Sequence, residues 1–394
     1  MNRHRLFGNL VRAATAATFC CATVFAVALT AELSRHAKTG RTPLAAPGIV
    51  APDASNDRSV ARSPVSLPDV RRWGPAPAAE PMLLSSEPRT EVVSPAGVYA
   101  ALCPLSFGES AEARADVARS FGEVCVRPSS DVAASLWITP EATVGSALTA
   151  RIARYAELHR ASPPMNQSIA AWLSAHGVPA PPMHGSVVFA AVSAVNYQAS
   201  WWKRLAPDPW LSRFHGRRGS QPAAFMKTAD GGSYAWTDAD GPCSRAVLPT
   251  KNGGAVIFAS IDDDARRSVS CLERPLRSSA PDGTDIEVPR LGFELTRSLT
   301  NGLARAGLGV LFDGRADPFP LLVPHRGLDE AVQSVDLQLD FGGISVKAGT
   351  VMDIILGNPR FRHHFRFDHP FAFRVVNDEG RTIALATIFD VPSR

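Results

Sequence analysis

FRFDHPFAF, residues 365–373, is the stretch from which the fold of this chain is read most directly. Phe367, Phe371 and Phe373 flank Pro370, which fixes a turn, and all three rings are candidates for burial. Just upstream runs ISVKAGTVMDIILGNPRFRHH, residues 344–364, long and sparsely charged. A connection of that length inside a compact domain usually exists for a functional reason. The two together pose one question: what needs a firm aromatic anchor directly after a long loop?

The chain has 394 residues, is 45% hydrophobic and carries a formal net charge of +4. That composition is globular and excludes a fibre, a coiled coil or a wholly disordered chain. With both signs spread along the sequence, +4 does not point to nucleic acid.

Arg3, Arg5 and Arg12 precede an uncharged run from Ala13 to Ala31, the layout of an export signal, with an A-x-A site at Ala26 and Ala28. The run is also long enough for an uncleaved anchor, and both remain open. In either case residues 1–31 place the body of the protein outside the cytoplasm, secreted, periplasmic or tethered. Residues 32–91 are rich in Pro, Ala, Ser and Arg and read as a linker. Beyond Cys20 and Cys21 lie Cys103, Cys125, Cys243 and Cys271, an even number in a compartment that permits disulfides. Three pairings are open, as are four buried thiols. The chain has no C-x-x-C, so zinc or thioredoxin-like chemistry has little support.

From residue 92 onward the periodicity becomes regular. Apolar spacing predicts helices over 98–107, 111–122, 147–159 and 166–177, the last with Asn166 as its N-cap. Short β-branched and aromatic runs predict strands over 186–198, 244–250, 254–261, 285–295, 334–341, 372–377 and 382–389, interrupted by one helix over 297–308. Helices early and mostly antiparallel strands late make residues 92–394 an α+β domain, with helices packed on sheets.

Several stretches, in order, resemble the serpin family. SPAGVYAALCPLSFGESAEARADVARSFG (94–122) is similar to its Ser-Pro turn and two following helices. SVVFAAVSAVNYQASWW (186–202) is similar to its central strand ending in tryptophan, and VQSVDLQLDFGG (332–343) to the strand feeding its reactive loop. IEVPRLGFELTRSLTNGLARAGLGVLF (286–312) and FRFDHPFAF complete the series; Phe367, Asp368, His369, Pro370 and Phe371 form the C-terminal signature. The resemblance implies a loop, 343–364, that is offered as bait, cleaved by a protease, and inserted as a new strand into the main sheet. It implies no catalytic residue and no cofactor, a monomer, and a target of the serine, or the cysteine, protease class.

On that resemblance the hinge is Gly342, Gly343, Ile344, Ser345 and Val346, and the sheet-opening region is Ser94, Ser193, Gln333 and Trp201. Ile344, Val346, Ala348 and Thr350 alternate with Ser345, Lys347 and Gly349, the period of a half-buried strand. The sequence departs from the family at the hinge, where Ile344 and Val346 are bulkier than the usual Thr and Ala and would slow insertion. It departs again at Ser193, in place of asparagine, and at Gln333, in place of histidine. It also leaves little room between Leu158 and Asn166 for an edge strand of the main sheet. Counting from the hinge sets the scissile bond near Gly357, and counting back from Phe371 near Pro359. The scissile region is therefore Leu356, Gly357, Asn358, Pro359 and Arg360, with Arg360 suited to a trypsin-like protease and Leu356 or Gly357 to a chymotrypsin- or elastase-like one.

RFHGRRG (213–219) offers Arg213, Arg217 and Arg218 to a polyanion, or is a solvated loop. His363, His364 and His369 lack the carboxylate or spacing of a metal site. No G-x-S-x-G, H-E-x-x-H or Walker A motif is present, so nothing positive suggests an enzyme. Two functions from different classes follow: a trapping protease inhibitor, or a non-inhibitory binding protein on the same scaffold.

Overall fold

The computed structural model describes residues 73–125, 127, 129–208, 212–228, 236–238, 243–260, 264–275, 284–346 and 363–391. The export segment, most of the linker and residues 347–362 lie outside the described residues.

Helix α1 (Pro95–Ser106) starts where the sequence provides a cap: Ser94 Oγ accepts from Gly97 N–H at 3.3 Å, and Pro95 fills the first helical position. Helix α2 (Ala111–Phe121) is capped by Ser110 and ends at Gly122, whose φ of 69° suits a residue without Cβ. The helix expected over 147–159 is only α3 (Ser146–Ile152). Its second half becomes strand β3 (Glu157–Arg160), paired in parallel with β2 (Val132–Ile138), and the His159 ring stacks on Trp137 at 4.2 Å. Tertiary pairing outweighs helical spacing here, and β3 forms the edge of its sheet in a segment where the sequence leaves little room for an edge strand.

Helix α4 (Asn166–Ala175) forms as expected, but Asn166 is not its cap. The Asn166 side chain accepts from Val187 N–H and donates to Gly185 O, both at 3.1 Å, clipping the helix to the loop before β4 (Ala190–Val195). The helix expected over 297–308 is also broken: Thr300–Leu303 makes one turn, and Gly307, at φ 91°, ends the regular coil that follows.

Residues 73–91 had the composition of a linker but are packed. Trp73 and Leu83 are buried, and the Trp73 indole donates to Gly253 O at 3.2 Å. Arg374 donates to Gly74 O at 2.5 Å, and Arg305 to the carbonyls of Met82 and Leu84 at 3.0 and 2.6 Å. This strap is held by guanidiniums from distant parts of the chain, so its own composition gives no sign of it. Glu91, also buried, pairs with Arg89 and Arg297.

A six-stranded antiparallel sheet has the order β1 (Glu91–Val93), β19 (Thr382–Ile388), β18 (Phe371–Val376), β12 (Ala255–Ser260), β11 (Ser244–Pro249), β10 (Trp236–Asp238). A second sheet runs β17 (His363–Arg366), β13 (Thr284–Pro289), β9 (Phe225–Thr228), β6 (Leu205–Pro207), while β7 (Ser212–Gly216) and β8 (Gly219–Ala223) form a separate hairpin. A third sheet runs β14 (Leu291–Ser298), β15 (Val332–Leu339), β16 (Gly343–Ser345), β5 (Gln198–Ser200), and a fourth runs β3, β2, β4. The architecture is α+β, with helices on mainly antiparallel sheets. Two disulfides pair the four cysteines that sequence left open, Cys103 with Cys125 and Cys243 with Cys271.

Candidate functional site, a groove beside the 340–346 hairpin

β4 and β5 are successive parts of one run, yet they belong to different sheets. At β5 the third sheet is continuous across β16; lower down, among the described residues, no strand pairs with the free edge of β4. Between β4 and β15 lies a groove of about 360 Å³, floored by α1 through Gly97, Val98 and Leu102 and flanked by Ser193 and Gln333. Val346, at the end of the described hinge segment, also lines it.

The expected hinge, residues 342–346, follows a tight hairpin turn. Asp340 N–H donates to Gly343 O at 3.0 Å, and Asp340 Oδ1 accepts from the amides of Gly342 at 2.8 Å and Gly343 at 3.2 Å. The chain then reverses into β16, antiparallel to both neighbours: Leu339 faces Ile344 on one side and Ala199 faces it on the other. A Cβ on Gly343 would lie 2.1 Å from Ala199 O, so only glycine fits there. Trp201 is buried beneath the turn; its indole donates to Asp340 O at 2.7 Å and its amide to Gly342 O at 3.0 Å. Val346 N–H donates to Tyr197 O at 2.8 Å, and Ile344 and Val346 are both buried in the core under the sheet. These two side chains, expected to resist insertion, already occupy it.

At mid-slot, Gln333 holds the Ser94 peptide rather than its hydroxyl. Ser94 N–H donates to Gln333 Oε1 at 2.7 Å and Gln333 Nε2 donates to Ser94 O at 3.0 Å. The hydroxyl itself donates to Ile383 O at 2.7 Å. A Cβ on Gly97 would lie 3.2 Å from both Gln333 Nε2 and Ser193 Oγ, so the two flanking side chains converge on the start of α1. The sequence marks Gln333 as a departure from the family; its bonds to the backbone N–H and C=O of Ser94 are visible only in the structure.

Leu356, Gly357, Asn358, Pro359 and Arg360 lie outside the described residues. Downstream of them the signature is a closed aromatic cluster: Phe258 packs with Phe367 at 5.4 Å and Phe371 at 6.1 Å, and Phe367 with Phe371 at 5.5 Å. Asp368 pairs with Arg366 at 3.0 Å and with His369 at 2.8 Å, fixing the turn at Pro370. Arg213, Arg217 and Arg218 sit on the β7–β8 hairpin, all exposed. Arg213 donates to Ser220, Arg217 to Pro88 O and the Arg218 amide to Asp390.

A model of the family described as serpin (serine protease inhibitor) matches residues 177–389. The fold is similar to that of a thermophilic serpin, tengpin, in its native state, at TM-score 0.67 and 16% identity, covering 83% of this chain and 96% of that one. It is similar to Serpin48 of the insect Tenebrio molitor (TM-score 0.64, 14% identity, 82% and 97% covered). It is also similar to human thyroxine-binding globulin complexed with thyroxine (TM-score 0.65, 14% identity, 82% and 99% covered). No curated protein matches the sequence.

Proposed function

Because the chain belongs to the serpin family, we propose that it is an exported inhibitor that presents residues 343–364 to a serine protease and traps it by inserting the cleaved segment into the slot between β4 and β15. The observation that carries this proposal is the seated hinge. β16 already runs antiparallel between β15 and β5, in the direction an inserted strand must take, and the groove continues below Val346.

The register supports it further. In the β15–β16 ladder Gln338 faces Ser345 and Leu339 faces Ile344, so continuing it brings residue 350 opposite Gln333. In the β16–β5 ladder Ile344 faces Ala199 and Ser345 faces Gln198, so continuing that one brings residue 350 opposite Ser193. Both strands thus assign the same partner, Thr350, to the mid-slot cluster. With Ile344 and Val346 facing the core, Ala348 and Thr350 follow on the same face. A small uncharged pair facing α1 fits, with Lys347 directed to solvent. The new strand would satisfy the free backbone edges of β4 and β15 and bury apolar surface, which is the driving force that trapping needs.

The test is incubation with trypsin, chymotrypsin and elastase, followed by denaturing gels and thermal melts. A covalent protease adduct and a higher melting temperature after cleavage within 356–360 are expected; cleavage with neither would leave the second reading. That reading is a non-inhibitory binding protein, favoured by the clamp between Gln333 and Ser94, which ties β15 to the start of α1 where the expected histidine is absent.

A further inference from the structure

Glu109 sits at the corner between α1 and α2, where a charged residue should reach water, yet it is only 3% exposed. Among the described residues no donor reaches either of its carboxyl oxygens. The corner is pressed onto the turn at 317–323. Ser110 N–H donates to Pro318 O at 2.9 Å and Leu321 N–H to Gly108 O at 3.4 Å, and a Cβ on Gly108 would meet Leu322 Cγ at 2.3 Å. An ionised carboxylate without partners in such a contact is costly, whereas the neutral acid is tolerated.

The charged groups on the surrounding elements do not neutralise it. On α2, Glu112 and Arg114 are exposed, and Arg114 donates to the Glu109 backbone carbonyl at 3.1 Å rather than to its carboxyl. On the turn, Arg315 is exposed and Asp317 is engaged by the His325 amide. Burial pushes the Glu109 carboxyl up to about 7, against a weaker opposing pull from the Arg114 guanidinium.

We propose that Glu109 makes the seat between the α1–α2 corner and the 317–323 turn a proton-controlled contact, closed when the carboxyl is neutral and loosened when it ionises. The consequence reaches the slot, because Leu105 of α1 and Phe319 and Val323 of the turn line its lower part. An effect on strand insertion would rest on the inhibitor reading; the loosening itself does not.

The sign follows from linkage. In the open corner the carboxyl titrates near its ordinary value, and in the closed corner higher, so closure weakens as pH rises through the interval between them and levels off above the higher value. Amide exchange in the full-length protein, corrected for the intrinsic pH dependence of exchange, tests this at Ser110 and Leu321, the two amides that donate across the contact. Protection is expected to fall by roughly 100-fold between pH 5 and pH 8, and to stay constant in Glu109→Gln. Unchanged protection in the native chain, or an equal fall in the Gln variant, would overturn the proposal. Should Glu109→Gln not fold, Arg114→Gln serves instead: the transition should move to higher pH, and an unmoved transition counts against Glu109 as the titrating group.

Discussion

Gln333 holds the Ser94 peptide at two points, accepting from its N–H at 2.7 Å and donating to its C=O at 3.0 Å. One side chain on β15 therefore fixes the first turn of α1, and α1 is the floor of the slot. Gln333→Ala removes both bonds and leaves the buried Ser94 N–H without its acceptor, while the Ser94 carbonyl keeps its helical bond from Val98 N–H at 3.2 Å. A loss of about 1–3 kcal/mol in urea unfolding is expected. Gln333→Glu should cost more than Gln333→Ala, because a carboxylate oxygen then faces the Ser94 carbonyl. A Gln333→Glu variant as stable as the native chain would show that the donor half of the clamp is immaterial.

Gly343 leaves no room for a side chain. Gly343→Ala places a methyl group 2.1 Å from Ala199 O unless β16 leaves its place between β15 and β5. Overpacking of this kind costs about 1–3 kcal/mol. The expected result is lower stability together with faster limited proteolysis on the C-terminal side of Leu339. Stability and nicking rate like those of the native chain would mean that β16 is not held as described.

The disulfides span sequence separations of 22 and 28 residues, which corresponds to about 3.5 kcal/mol each on the chain-entropy scale. Full reduction should lower the melting temperature markedly. Cys243 and Cys271 are both buried, whereas Cys125 is half-exposed. Graded reduction followed by alkylation and mass analysis should therefore modify Cys103 and Cys125 first. Simultaneous loss of both bridges would contradict this order.

If the cleaved segment inserts in the register of β16, both of its ladders, continued downward, bring Thr350 opposite Gln333 and Ser193. Thr350→Arg would direct a charge toward α1 on insertion, at a cost that no partner there offsets. Cleavage of the variant by a serine protease should proceed, but without the rise in melting temperature. A cleaved Thr350→Arg protein as stabilised as the cleaved native one would rule out this register.

Much of this was legible in the sequence because it is local. The alternation in 334–341 and the phenylalanines around Pro370 each declare their structure within a few residues. What was hidden depends on remote partners. The Trp73–Leu84 strap has the composition of a linker and is held by Arg374, Arg305 and Arg297. β3 has four residues and exists through its parallel pairing with β2. The helical spacing over 297–308 gave no warning that Gly307 would break the coil. Gln333 was visible as a substitution, but only the fold reveals that it bonds both backbone polar groups of Ser94.

Whether the slot accepts a strand is tested most directly on the full chain, incubated with a trypsin-like and an elastase-like protease, with denaturing gels and thermal melts read on the same samples. A protease adduct that survives denaturation, with a cleaved form that melts well above the intact one, is the expected result. Complete cleavage within 356–360, with no adduct and no change in melting temperature, would contradict trapping and leave a binding protein on a serpin scaffold.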